Sequence, residues 1–187
     1  MMGQIFTELL ELVESKYGYE IVDQLLTNSK LHSGGSYTAV GTYNHIELLI
    51  LVTNLSEIIN KPISELVTEF GEGIFIKLLT SHPQISANIT DSFDLLSKID
   101  SYIHVEVAKL YPNAQLPTFK FVQLSENQVR LHYSSTRPFA SFAEGLLLGC
   151  ALYFNEQFQI TRLPDPNSSE MNVTFDIVRT KLTPAHG

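Results

Sequence analysis

The sequence predicts an α+β fold: a helical N-terminal half, then a C-terminal half in which one long helix leads into a four-stranded antiparallel sheet. Three observations predict it. Apolar residues recur at helical spacing as far as Tyr111. Beyond Pro112 the apolar period changes to two. Two hairpin-like stretches then flank a single apolar helical run, giving the order strand, strand, helix, strand, strand.

Ile5, Phe6, Leu9, Leu10, Leu12 and Val13 lie at helical spacing before Gly18, and Ile21, Val22, Leu25 and Leu26 continue as a second short helix. The segment with Ser33-Gly34-Gly35-Ser36 and Gly41 is turn-rich. Asn44, three residues before Glu47, resembles a capping-box start for an apolar run to Ile59. Pro62 suits a first helical turn, and Gly71 and Gly73 interrupt the pattern before it resumes at Ile74. From Asp91 to Tyr111 runs the longest helical candidate. Phe93, Leu96, Ile103, Val107 and Leu110 form its stripe, Pro112 stops it, and His104 borders the apolar side.

Strands follow around Phe119–Val122 and Val129–Arg137, joined by a turn at Ser125-Glu126-Asn127-Gln128. Phe139 to Phe154 returns to helix, with Gly145 and Gly149 four apart, which suits close packing against another backbone. Gln157–Leu163 and Met171–Arg179 make a second hairpin around Asp165-Pro166-Asn167-Ser168-Ser169.

At 187 residues with 44% hydrophobic content, the chain can bury a substantial core. Its charged share of 17% is below the usual ~25%, which favours a large apolar interior over disorder. The net charge of −8 argues against nucleic acid as a partner, because phosphate backbones select basic surfaces. No basic signal region opens the chain and no apolar run spans a bilayer, so no membrane association is expected and the expected location is cytoplasmic. The single Cys150 cannot pair within the chain and suits an inert core thiol.

In an extended strand alternate residues share a face, so Tyr133, Ser135 and Arg137 would aim two hydroxyls and a guanidinium in one direction. That set suits two neighbouring carboxylates, since Arg grips an oxyanion with two parallel bonds. Haem carries two propionates, and its iron takes an imidazole, which His104 could supply from the preceding helix. Each part alone has a plainer reading: the strand triad as a solvated face, His104 as a packed residue. Pro117 reads equally as a loop proline, and the two glycines as helix packing. His32, His45, His82, His132 and His186 show no metal-ligand spacing. Together, His104 and the triad favour haem.

The element order, His104 in His-x-x-Val-x-Lys-Leu-Tyr-Pro, Tyr-x-Ser-x-Arg beginning twenty-nine residues later and the Met-x-Gly start resemble the H-NOX (haem nitric oxide/oxygen binding) family along the whole chain. The resemblance implies a single haem-binding domain over 1–187, with approximate halves 1–65, distal and helical, and 66–187, the proximal helix plus sheet. It implies that His104 is the iron ligand on a haem-ligating helix and that Tyr133, Ser135 and Arg137 hold the propionates. Pro117 matches the proline that presses on the porphyrin, and Ile5 and Leu146 match residues against the haem. Where oxygen-holding members have a distal tyrosine, nine residues beyond the motif tyrosine, this chain has Phe142. Bound oxygen gains from a hydroxyl donor and NO or CO much less, so the resemblance implies an NO sensor, unless Tyr17, Tyr19 or Tyr43 supplies a donor.

The cofactor implied is haem b, held non-covalently because no Cys-x-x-Cys-His attachment site occurs. The cysteine-rich zinc site of some bacterial relatives is expected to be absent. Signalling would follow release of His104 from a five-coordinate ferrous haem and flattening of the macrocycle, read by a separate histidine kinase or cyclic-di-GMP enzyme. The chain is expected not to be an enzyme itself; the alternatives are a haem enzyme of peroxidase or oxygenase type and a haem-free interaction module of the same fold.

Overall fold

A computed structural model of the chain describes residues 1–181, so His186 lies outside the described residues. They divide into two compact units, Met1–Phe70 and a second from Gly71 onward. The first unit is helical. α1 (Gly3–Tyr17) buries Ile5, Phe6, Leu9 and Val13, and α2 (Tyr19–Asn28) buries Val22 and Leu25, as the helical spacing predicts. α2 packs in turn on α3 (His45–Ile59), which buries Leu48, Leu51, Val52 and Leu55. Gly3 explains the Met-x-Gly start. A Cβ on it would collide with the Thr38 carbonyl oxygen, because residues 38–43 wrap the first turn of α1 and Gly3 N–H donates to Gly41 O at 2.7 Å.

Asn44 caps α3 as predicted, its side chain accepting from Ile46 N–H at 3.1 Å. Glu47 does not complete the capping box. Its carboxylate is 5% exposed and accepts instead from Ser33 N–H at 3.1 Å, Ser33 Oγ at 2.5 Å and Tyr37 Oη at 2.7 Å. A buried carboxylate needs several donors, and the Ser33–Tyr37 segment offers more than one backbone amide could. Burial works against the charge, but the bonds from Ser33 and Tyr37 outweigh it and hold Glu47 below the usual carboxylate range. Tyr37 also stacks on Phe6 with ring centroids 4.5 Å apart.

α4 (Ile63–Thr80) runs through both Gly71 and Gly73, so the interruption predicted there does not occur. The reason is contact with α8 (Ala140–Tyr153): a Cβ on Gly71 would collide with Phe142 O, and one on Gly149 would meet Glu72 O at 2.6 Å. Two backbones in such contact outweigh the ~1 kcal/mol that each helical glycine costs.

In the second unit the short α5 (Pro83–Ser86) precedes a segment that departs from expectation. The single helix predicted from Asp91 to Tyr111 is three pieces: α6 (Ser92–Ser97), a π-helical turn (Ile99–Ile103) and α7 (His104–Leu110). Asp91 caps α6, accepting from Asp94 N–H at 2.9 Å. Ser92, Phe93, Leu95 and Leu96 are buried on α6, Ile99 alone on the π-turn, and no residue on α7. The predicted stripe therefore fails beyond the turn, and Leu110 is 49% exposed. An extra residue in a helical turn rotates the remainder of the helix by ~100°, which carries Ile103, Val107 and Leu110 off the face set by Phe93 and Leu96.

β1 (Thr118–Ser125), β2 (Gln128–Ser134), β3 (Glu156–Arg162) and β4 (Asn172–Lys181) form one antiparallel sheet in the order β1-β2-β4-β3. β2 stops at Ser134 rather than Arg137. Residues 136–138 bend, and Pro138 has no N–H to continue the ladder. Tyr133 pairs with Phe119 on one side and Val173 on the other. Val129, Leu131, Tyr133, Val173, Phe175 and Ile177 join Phe93 and Leu96 of α6 and Leu147 and Cys150 of α8 in one core. Burial pushes the Cys150 thiol up, in keeping with an inert core residue. Among the described residues no helix is long and apolar enough to cross a membrane.

Candidate functional site

The interrupted segment sets His104 at the first position of α7, directly after the π-turn. Its Nδ1 lies 3.0 Å from Asp100 Oδ1, one turn back. The other carboxylate oxygen of Asp100 accepts from Phe119 N–H on β1 at 2.7 Å, so one aspartate ties the imidazole to the sheet. With Nδ1–H donating to Asp100, the lone pair is on Nε2, the tautomer that binds a metal. Burial lowers the His104 pKa while Asp100 acts in the opposite direction, which keeps the ring neutral near pH 7.

Phe119 continues the contact from His104 towards the strand triad. Its ring centroid is 5.9 Å from that of His104 and 5.4 Å from that of Tyr133. Tyr133 is 3% exposed, and Ser135 and Arg137 are half-buried while Ser134 and Thr136 are exposed. The alternation read from the sequence thus persists although β2 has ended. What preserves it past the strand is local bonding: Ser135 N–H donates to Met171 O at 2.8 Å and Arg137 N–H to Ser135 Oγ at 3.1 Å. Burial raises the Tyr133 phenol, against the pull of its hydrogen bonds with Ser135 and the Phe139 backbone, so it remains a neutral hydroxyl.

Arg137 supplies the test of whether this set fits a dicarboxylate cofactor. Its Nη2 donates to Gln115 Oε1 at 2.7 Å, but its Nε is shut from solvent with no acceptor among the described residues. A buried donor left in that state costs ~1–3 kcal/mol. A carboxylate beside the Tyr133 and Ser135 hydroxyls is the chemistry that would relieve it. The residues present fit haem: neutral imidazole for iron, hydroxyls and guanidinium for propionates.

Pro117 is half-buried and immediately precedes β1, and Phe142 and Leu146 lie half-buried one turn apart on α8. Ile5 is buried at 5% exposure in the first unit, whereas the other predicted site residues belong to the second. Of the tyrosines considered as donors, Tyr43 accepts from Thr38 N–H at 2.9 Å and Tyr19 is 68% exposed. Among the described residues no group of three or more His, Cys, Asp or Glu side chains is placed to hold a metal.

Sequence reasoning missed Asp100, Phe119 and Gln115. For Asp100 a signal was present, since a carboxylate four residues before a histidine faces it on a helix. Nothing local marked Phe119 or Gln115, whose contacts cross from separate segments.

Comparison with known proteins agrees with this chemistry. Residues 2–162 match the family described as Haem-NO-binding. The fold is similar to the Fe(II) unliganded H-NOX protein from K. algicida, with TM-score 0.90, 37% identity and 97% of each chain covered. It is also similar to the IWP-051-bound, Fe(II)CO H-NOX from Shewanella woodyi, with TM-score 0.81, 54% identity, and 100% of this chain and 97% of that one covered. A third similar structure is the Fe(II)NO state of an H-NOX from S. oneidensis, with TM-score 0.88, 30% identity, and 97% of this chain and 100% of that one covered. The soluble guanylate cyclase gcy-35 of Caenorhabditis elegans is 28% identical over 142 residues, 73% of this chain, and the chain spans only 20% of that protein's length.

Proposed function

The chain belongs to the Haem-NO-binding family, whose members are haem-based gas sensors rather than catalysts, and from that premise we propose that it is a nitric oxide sensor built on one non-covalent haem b. The observation that carries the site assignment is the neutral, Asp100-oriented His104 lying across Phe119 from a clamp whose Arg137 Nε lacks an acceptor. When bound, the haem supplies a ferrous iron able to take NO or CO. His104 would provide Nε2 to that iron, with Asp100 orienting the ring and raising its basicity. Tyr133, Ser135 and Arg137 would hold the propionates. Pro117, Phe142 and Leu146 would supply apolar contact in the second unit, with Pro117 against the macrocycle, and Ile5 is the candidate apolar contact from the first.

Selectivity rests on Phe142. Its phenyl ring offers no hydroxyl to the partial negative charge of bound oxygen, whereas NO needs no such donor. NO at the iron would favour release of His104, and α7, none of whose residues is buried, would then lose its main tether. The altered surface is read in the cytoplasm by a separate histidine kinase or cyclic-di-GMP enzyme, a two-state device biased by a ligand.

The test is spectroscopic. Haem-loaded protein should give a five-coordinate ferrous spectrum, remain five-coordinate with NO and become six-coordinate with CO. His104→Gly should lose axial ligation and regain it with added imidazole. Absence of a Soret band after haem addition, or a stable six-coordinate NO complex, would refute the reading.

A further inference from the structure

The segment that carries His104 is unevenly held, and its two ends differ in kind. At the start of α6 the cap and the first residues are locked into the sheet. Arg179 of β4, 8% exposed, places Nη1 3.3 Å from Asp91 Oδ1 and 3.4 Å from Glu156 Oε1. Its Nη2 donates to Glu126 O at 3.1 Å, and its guanidinium carbon lies 4.1 Å from the centroid of the Phe93 ring. Glu156, 3% exposed at the head of β3, accepts the hydroxyl of the fully buried Ser92. Moving α6 would take Asp91 from the buried Arg179 and the Ser92 hydroxyl from the buried Glu156, leaving that sheet ion pair with fewer partners where water does not easily reach. Among the described residues no buried ion pair holds α7, whose hydrogen-bonded link to the sheet runs from His104 through Asp100 to Phe119 N–H. α7 buries no residue, and its ion pair between Lys109 and Glu106 lies within its own surface.

Between the fixed and the free piece lies the π-turn. Ile103 N–H donates to Lys98 O at 3.0 Å, and His104 N–H donates to Ile99 O, both one residue longer than the α-helical bond. The α-register of the same residues would bond Ile103 N–H to Ile99 O and His104 N–H to Asp100 O. Passing from one register to the other moves α7 by one residue, ~1.5 Å along the axis and ~100° about it. The irregular residues 111–117 can absorb that displacement before β1.

We propose that ligand release at His104 is transmitted by a register shift of the π-turn Ile99–Ile103, which moves α7 while the Asp91–Arg179–Glu156–Ser92 cluster keeps α6 in place. This rests on the sensor reading above. It divides the ligating segment into a fixed half and a moving half, so the surface offered to a partner changes at α7 and not at α6. Arg179 and Glu156 are therefore positioning residues, acting at a distance from the iron.

The test is residue-resolved amide hydrogen exchange on the haem-loaded ferrous full chain, alone, with CO and with NO, each sample checked by its Soret band. With NO, amides from Ile103 to Leu110 should exchange at least about tenfold faster while those of Leu95 to Lys98 stay within about twofold, and CO should change neither. In Glu156→Gln, which keeps an acceptor for Ser92 but removes the charge facing Arg179, the NO-induced acceleration should spread into α6 with the haem spectrum unaltered. Equal acceleration of α6 and α7 in the unsubstituted protein, or unchanged protection at Ile103 and His104, overturns the shift if the spectrum is five-coordinate. An acceleration in Glu156→Gln still confined to α7 overturns the role of the cluster. A six-coordinate NO spectrum overturns the sensor reading beneath it, and the Soret band separates the two failures.

Discussion

Replacing Asp100 with Asn tests whether the carboxylate, and not mere proximity, prepares His104. In the native chain one oxygen faces His104 Nδ1 at 3.0 Å and the other accepts from Phe119 N–H at 2.7 Å. An amide can satisfy only one of these. If its oxygen stays on Phe119, its NH2 meets Nδ1–H, and relief requires the other imidazole tautomer, which removes the Nε2 lone pair. A charged hydrogen bond is worth ~1.5–3 kcal/mol. The Asp100 side chain is 39% exposed, so solvent screening places its effect near the lower end. At about 1.4 kcal/mol per decade, the iron–histidine bond should weaken by about tenfold in equilibrium terms, the bottom of the ~10–100-fold range for lost outer-sphere partners. Resonance Raman of the ferrous protein reads this as a lower iron–histidine stretching frequency, and haem transfer to an apo-globin reads it as faster loss. An unchanged frequency together with an unchanged transfer rate would show that Asp100 does not orient the ligand.

Arg137→Lys should keep the charge but lose the fork and the Nε donor, so haem transfer should accelerate by about tenfold, with the NO spectrum unchanged. Phe142→Tyr should create a donor for bound oxygen and yield an oxygen complex that persists in air, visible by absorbance; rapid oxidation with no such complex would remove Phe142 as the discriminating residue. Glu47 titrates below its ordinary value of 4.5, so the folded state binds fewer protons than the unfolded chain there. Its contribution to stability is complete above the ordinary value and is lost as pH falls through the lowered one. Glu47→Gln should therefore flatten the acid limb of a plot of denaturation midpoint against pH, below about 4.5, relative to the unsubstituted protein.

Much of the fold was legible because it is written in local periodicity. The amphipathic runs of α1 to α3, the Asn44 cap, the change to period two after Pro112 and the glycine spacing of α8 depend on residues within a turn or two of one another. Where expectation failed, a distant partner had the larger effect. α4 continues through Gly71 because α8 supplies a backbone to pack against, and Glu47 abandons its own helix terminus because Ser33 and Tyr37 offer more donors. The stripe from Phe93 to Leu110 breaks because a π-turn intervenes, and no propensity marks that turn.

The sequence by itself determined which groups are available: the His104 imidazole on the helix before the sheet, and two hydroxyls and a guanidinium on alternate positions beginning twenty-nine residues further on. Side-chain chemistry and strand periodicity are properties of the local chain, so both can be read without coordinates. The tertiary structure decided what those groups experience. It fixed the tautomer of His104 through Asp100, joined that aspartate to β1 nineteen residues away and left Arg137 Nε without an acceptor. It also locked α6 through Arg179 and Glu156 while leaving α7 loosely held. Such effects depend on burial and on contacts between segments far apart in the chain, and only folding sets either one.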